Sequence, residues 1–326
     1  MNDTLIFDWN DLAFASKRPL KSLEATFIMA PREMSARRLT EIVKTYLAKG
    51  NIIFGISKES HVLGFENQPQ FSMLSLQSAE LLAKKVAAAN SPHKLVILKY
   101  SQRDLVHFAD QINCKKFVAV NGSYKLAFQN LPVYYRLAAA GITIDHISPF
   151  IDESEAAAYA KLHTSELELP KIGAVIQDED AMKLAVDVAK QSYDYCTQVG
   201  AVLAKKSAKN YTFLHASFNR VIPYQGYNLH HGSQREIHLS PPSDISHYDT
   251  IHAEMGVLLD AVEKSIDLKG TTLFSDLMPC PACARVLSAT AIEEFVYMHD
   301  YGDGYAVKLF ELSGKKVRRY VAKEAL

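Results

Sequence analysis

The chain has 326 residues, with 36 Lys and Arg balanced by 36 Asp and Glu and a hydrophobic content of 48%. This length suggests two domains, and the composition is that of a folded chain with ample apolar material for cores. Formal neutrality excludes a global basic footprint for nucleic acid, leaving only a local patch open. No apolar run approaches the roughly 18 residues of a membrane span, and residues 1–14 lack the basic-then-apolar pattern of a secretory signal. Four cysteines in so long a chain make no disulfide framework. A cytoplasmic protein of a reducing compartment, without membrane contact, is the expectation.

In chain order, residues 25–30 form an apolar piece that suits a strand. Residues 35–48 have helical spacing through Leu39, Ile42, Val43, Tyr46 and Leu47, with Gly50 as the stop. Residues 52–57 and 61–65 read as two strands joined by a Lys-Glu-Ser turn. An alanine-rich amphipathic helix follows at 76–89, then a strand at 94–100, a helix at 102–112 and a strand at 117–121. A helix at 131–140, stopped by Gly141, and a strand at 142–147 complete the series. Strands alternating with helices of this length predict an α/β layer structure.

The rhythm breaks at 148–180, which carries Pro149, an acidic alanine-rich helix, Pro170 and a second acidic run; residues 151–180 are expected to be a linker. The order then resumes with a helix at 181–191 and strands at 199–205 and 213–218. After them come a helix at 251–264, a strand at 271–276, a helix at 280–290, a strand at 294–299, a helix at 305–312 and a strand at 316–321. Laid side by side, residues 35–147 and 181–321 show one series of elements: helix, hairpin, helix, strand, helix, strand, helix ending in glycine, strand. Phe54-Gly55-Ile56 falls on Val199-Gly200-Ala201, and Ser78-Ala79-Glu80 on His252-Ala253-Glu254. An internal duplication is the expectation. It gives an α/β chain of two three-layer α/β/α domains, each a mixed sheet with helices on both faces, at 1–150 and 181–326.

Chemistry concentrates in the second half. His252, Cys280 and Cys283 are three good ligands for a borderline-soft metal, and three protein ligands leave one tetrahedral position open, as in catalytic rather than structural zinc sites. Cys280 and Cys283 are three apart, which puts both sulfurs on one face of a first helical turn. A helix N-terminus and a metal both favour the thiolate. Glu254 lies two residues past His252, off the ligand face, where a carboxylate could move protons for a water at the open position. At the residues that align with these, the first half has Ser78 and, at 100–104, Tyr-Ser-Gln-Arg-Asp, so it carries no ligand set.

His-Ala-Glu at 252–254 with Pro-Cys-Pro-Ala-Cys at 279–283 matches the H-x-E…P-C-x-x-C signature of zinc deaminases. Over residues 180–321 the chain resembles the cytidine/deoxycytidylate deaminase superfamily. The tail from Asp300 to Phe310, followed by Gly314 and Val317-Arg318-Arg319, looks most like its deoxycytidylate branch. The resemblance implies a five-stranded sheet between helices, one catalytic Zn²⁺ on His252, Cys280 and Cys283, and assembly into a homo-oligomer. It also implies that Glu254 carries protons while water adds at C4 of cytosine and ammonia leaves. The backbone N–H of Ala253 would meet the ring carbonyl, and Asn219 the sugar. On this reading 1–150 is a degenerate, metal-free deaminase-like copy and 181–326 the catalytic domain, acting on a small-molecule nucleotide or nucleoside.

Alternatives stay open. A deaminase of a purine base or of RNA or DNA would use the same site, and a non-catalytic zinc-stabilised interaction module would keep the metal without turnover. Asn219 could simply be a turn residue. The segment 224–249, with His230, His231, His238, His247 and Arg235 and preceded by Arg220, has three readings: a second metal site, a loop whose arginines meet a phosphate, or a polar surface loop.

Overall fold

The computed structural model describes residues 4–14, 19–30, 33–62, 64–72, 74–87, 91–122, 128–164, 167–241 and 246–322. It divides into two compact units, Met1–His163 with Gly226–Tyr248, and Thr164–Gln225 with Asp249–Leu326.

The first unit runs β1 (Leu5–Asp8), α1 (Trp9–Ala13), β2 (Ala25–Ala30), α2 (Ala36–Leu47), β3 (Ile52–Ser57), α3 (Leu76–Ala87) and β4 (Leu95–Tyr100). It continues with α4 (Phe108–Gln111), β5 (Cys114–Val120), α5 (Pro132–Ala139), β6 (Thr143–Ile147) and α6 (Glu153–His163). Its sheet has the order β1-β4-β3-β2-β5-β6, and every pairing is parallel. Parallel neighbours need crossovers, and the helices supply them, covering both faces. Phe27 and Met29 of β2 enter a core with Trp9, Phe108, Phe117 and Leu137. Ile28 and Ala30, one residue out of phase, enter a second core with Leu39, Val43, Phe54 and Ala79. Ser35 starts α2 by accepting the Arg38 N–H at 3.0 Å, a serine N-cap.

The second unit opens with β7 (Val175–Ile176), α7 (Asp178–Ala189), the hairpin of β8 (Gly200–Ser207) and β9 (Asn210–Phe218), and β10 (Arg220–Val221). The chain then makes an excursion into the first unit with α8 (Tyr227–His231) and α9 (Gln234–Ile237). It returns with β11 (Thr250–Ile251), α10 (Ala253–Glu263), β12 (Thr271–Leu277), α11 (Pro281–Ser288), β13 (Glu294–His299), α12 (Tyr305–Leu312) and β14 (Lys316–Arg319). The sheet order is β14-β13-β12-β8-β9-β7. β8 is antiparallel to β9 and β12, while β12, β13 and β14 run parallel. Ala201 and Leu203 pack on one side with Val257 and Leu287; Val202 and Ala204 pack on the other with Met182 and Phe274. This mixed sheet between helices is the architecture expected for 181–326.

Both units are α/β, but the expected duplication does not appear in their sheets. The hairpin at 52–57 and 61–65 is absent: β3 is a strand, whereas residues 61, 62, 64 and 65 pair with nothing in the sheet, and Leu63 lies outside the described residues. Without that antiparallel pair the first sheet is all-parallel, and its order differs from that of the second. Nor are residues 151–180 a free linker. α6 belongs to the first unit, β7 pairs antiparallel with β9, and α7 already begins at Asp178. Among the described residues no helix is long and apolar enough to cross a membrane.

Candidate metal centre

His252 and Cys280 are each the N-cap of a helix, with extended backbone (φ −62°, ψ 151° and φ −64°, ψ 163°). Pro281 occupies the first helical position of α11, where its missing N–H is no loss. Two helix N-termini therefore carry the ligand candidates. His252 Nδ1 lies 3.4 Å from Cys280 Sγ and 3.3 Å from Cys283 Sγ. One ligand atom from each residue falls within 4.8 Å of the others, the only such His/Cys/Asp/Glu group among the described residues. Both cysteines are buried. Two sulfurs and an imidazole nitrogen on rigid helix starts suit a zinc-sized ion and leave room for a fourth ligand.

The electrostatics agree with a shared ligand set. The Cys283 thiol, donating towards the Cys280 sulfur, brings Cys280 down to about 4 despite burial, with His252 adding to the effect. Cys283 is correspondingly pushed up; a divalent cation bound here would take both sulfurs as thiolates. His252 is raised by its contact with Cys280. Glu254 is only 3% exposed, and one of its oxygens lies 3.7 Å from Cys283 Sγ. Burial raises its pKa above the usual carboxylate range. Ala253, fully buried, is the first helical residue of α10, so its N–H has no intrahelical acceptor.

The remaining expected contacts are engaged elsewhere. Asn219 Oδ1 accepts the Val199 N–H at 2.8 Å, and its Nδ2 donates to Thr197 O at 2.9 Å and Asp194 Oδ2 at 3.2 Å. As placed, it braces residues 194–199 instead of presenting a free amide to a sugar. Arg220 binds Asp260 Oδ1 at 3.2 Å, and Asp260 also meets His215 at 2.8 Å. Asp260 stands two helical turns after His252, on the same side of α10, so Arg220 and His215 anchor the helix that begins at the site. A further group was not read from the sequence. Asp276, at the end of β12, accepts the Gly200 N–H at 3.0 Å; burial, with Glu254 nearby, raises it to about 7. The available signal was a carboxylate four residues before Cys280.

Within the excursion, His230 contacts Ser148 Oγ at 2.6 Å, His231 faces Glu153 at 3.9 Å, and His238 stacks on His247. Arg235 lies over the Tyr248 ring at 4.4 Å. These partners separate the histidines into pairs, so no second metal group forms among the described residues.

Residues 175–299 match the family model described as the cytidine and deoxycytidylate deaminase zinc-binding region. The chain is 34% identical over 64 residues to the deoxycytidylate deaminase of Enterobacteria phage T2, covering 20% of this chain and 34% of that protein. It is 30% identical over 132 residues to a probable deoxycytidylate deaminase of Drosophila melanogaster, covering 39% of this chain and 61% of that one. It thus spans about a third of the phage protein's length and about three fifths of the fly protein's. Among solved structures, dCMP deaminase from the cyanophage S-TIM5, in complex with dCMP and dUMP, is similar at 18% identity and a TM-score of 0.33, covering 47% of this chain and 100% of that one. The similarity to the cytidine and deoxycytidylate deaminase zinc-binding region thus falls on the part of the second unit that contains His252, Glu254, Cys280 and Cys283.

Proposed function

We propose that the second unit is a zinc-dependent hydrolytic deaminase of a cytosine nucleotide, with deoxycytidylate as its first substrate. The observation that carries this is the convergence of His252, Cys280, Cys283 and the buried Glu254 on two helix N-termini. Zinc held by the imidazole and the two sulfurs would supply Lewis-acid activation of a water. Glu254, desolvated and raised in pKa, is suited to take a proton from that water and return it to the ring nitrogen and the departing ammonia. The Ala253 N–H is the donor for the ring carbonyl. Arg220 and Asn219 hold the framework: the first fixes α10 through Asp260, the second fixes the chain entering β8. The deoxycytidylate deaminases among the similar proteins support the choice of base and sugar.

The test is metal analysis with product assays on the full chain, across dCMP, CMP, cytidine, purine nucleosides and RNA. About one zinc per chain and release of ammonia and dUMP from dCMP are expected. Glu254→Ala should keep the zinc and lose turnover by roughly a hundredfold or more. Zinc without ammonia from any compound would leave a zinc-stabilised interaction module, and turnover confined to RNA would replace the mononucleotide by a nucleic acid. Light scattering on the same preparation checks the expected homo-oligomer.

A further inference from the structure

Between α7 and β8 the chain runs through residues 190–199 without helix or strand, and one carboxylate ties much of that loop down. Asp194 Oδ1 accepts the N–H of Cys196 at 2.8 Å and of Thr197 at 3.1 Å, while the Asp194 N–H donates to Ser192 Oγ at 3.1 Å. A side-chain turn asks no more than this of an aspartate. Here the second oxygen is used as well. Asp194 Oδ2 accepts Asn219 Nδ2 at 3.2 Å, and Asn219 Oδ1 in turn accepts the Val199 N–H. The loop carboxylate is thereby fixed against the chain leaving β9.

That stretch of chain leads to the metal centre. Asn219 immediately precedes β10, and His252 immediately follows β11. The two strands pair antiparallel, Arg220 with Ile251 and Val221 with Thr250, and the Ile222 N–H donating to Asp249 O continues the register. One step beyond the ladder at its other end, the same register sets Asn219 beside His252. The carboxylate that Asn219 holds therefore stands on the histidine's flank of the site. The charges agree. Besides the Cys280 hydrogen bond, which raises the ring most, those of Glu254, Cys280 and Asp194 favour protonated His252 against the cost of burial. Glu254 lies on the sulfur side, 3.7 Å from Cys283 Sγ, and His252 turns Nδ1 to that side, 3.4 Å and 3.3 Å from the two sulfurs. Nε2 is at the opposite edge of the ring, which leaves Asp194 as its carboxylate. A neutral imidazole that gives one nitrogen to a metal carries its proton on the other. A carboxylate accepting that N–H fixes the tautomer and the ring orientation and makes the ring a stronger ligand.

We propose that Asp194 is a positioning residue of the metal centre, its carboxylate accepting the His252 Nε2–H so that Nδ1 stays turned to the metal. Asn219 and the loop N–H groups hold the carboxylate in place for that task. The proposal rests on the zinc reading of the site and concerns metal affinity, not turnover. Zinc affinity of the full chain is measured by competition with a chelator at neutral pH, for the parent, Asp194→Asn and Gln198→Ala. Gln198 Nε2 donates to Ser192 O at 2.8 Å, so its removal loosens the same loop and leaves the carboxylate alone. Asp194→Asn should weaken zinc roughly tenfold to a hundredfold, and Gln198→Ala should leave it unchanged. Equal affinity in the parent and Asp194→Asn, or an equal loss in both variants, would overturn the proposal while leaving the deaminase reading in place. A parent chain that takes up no zinc would end both. If Asp194→Asn does not fold, nuclear magnetic resonance of the zinc-loaded parent decides. A His252 ring N–H that exchanges slowly with water is expected, and one that exchanges as fast as an exposed ring overturns the assignment.

Discussion

At the scale of single residues, the second unit depends on close approach as much as on its ligands. A Cβ on Gly200 would lie 2.0 Å from the Ala185 carbonyl oxygen and 2.8 Å from the Ala189 nitrogen. Both atoms are backbone, so no side chain can turn aside and α7 must move off β8. Gly200→Ala should therefore cost about 3 kcal/mol of stability, at the upper end of overpacking, read as a lower denaturant midpoint at unchanged slope. The Gly200 N–H also donates to Asp276, so the shift should disturb the site end of β12 as well. Arg220 makes the opposite kind of prediction. Its bond to Asp260 fixes α10, so Arg220→Met should lower kcat for dCMP about tenfold with KM little changed, the signature of lost positioning and not of lost substrate binding. A rise in KM for dCMP that spares deoxycytidine would instead favour the phosphate-binding reading, one of the three the sequence left open.

At the scale of elements, the edge of the second sheet supplies a pH dependence. Burial alone would raise the Glu294 carboxyl on β13, but hydrogen bonds from Lys206 and Arg318 outweigh it and hold the group below its ordinary value. The unfolded chain therefore takes up this proton at higher pH than the folded one. The stabilisation is present above about pH 4.5 and is lost as pH falls through the folded-state value. Glu294→Gln should be less stable than the parent at pH 7, and the difference should shrink between about pH 5 and pH 3, as measured by denaturant titration at each pH. The strands themselves show what was legible. β9 was readable because its exposure alternates along much of its length, and α10 and α11 because His252 and Pro281 mark their starts. β3 was located correctly and misassigned: Ile52-Ile53-Phe54-Gly55-Ile56 is buried throughout, the unbroken apolar run of a parallel strand covered on both faces. Read as half of a hairpin, it gave the first unit a mixed sheet that its crossovers do not build. The short β1, β7, β10 and β11 carry too few residues for periodicity to register.

At the scale of the whole molecule, the grouping of His252, Cys280 and Cys283 was legible because metal-ligand chemistry fixes residue types and spacing, whereas the partition of the chain was not. A unit assembled from Gly226–Tyr248 as well as Met1–His163 leaves no local signal, since each contact joins residues about a hundred positions apart. The Phe128 N–H reaches the Glu236 carboxylate at 2.7 Å, and the Asn121 and Gln129 side chains reach the backbone of α8 and α9. From the sequence, the segment 224–249 had three readings, as a second metal site, a phosphate-binding loop or a polar surface loop, and none of them as part of the first unit. Its structural meaning follows from its two ends: β10 and β11 pair antiparallel, Arg220 with Ile251 and Val221 with Thr250. The excursion therefore leaves and re-enters through a two-stranded ladder whose ends already lie side by side, and closing that ladder with a short turn costs little loop entropy. A fragment of residues 164–326 that keeps 226–248 carries Glu236, His230 and the carbonyl of Arg235 without their partners. The same fragment with 226–248 replaced by a short glycine-serine turn does not. The second fragment should bind one zinc and remain monodisperse or form a defined oligomer, whereas the first should be cleaved rapidly by protease between 226 and 248. Equal protease resistance of the two would mean that the excursion holds its own fold and owes nothing to residues 121–148.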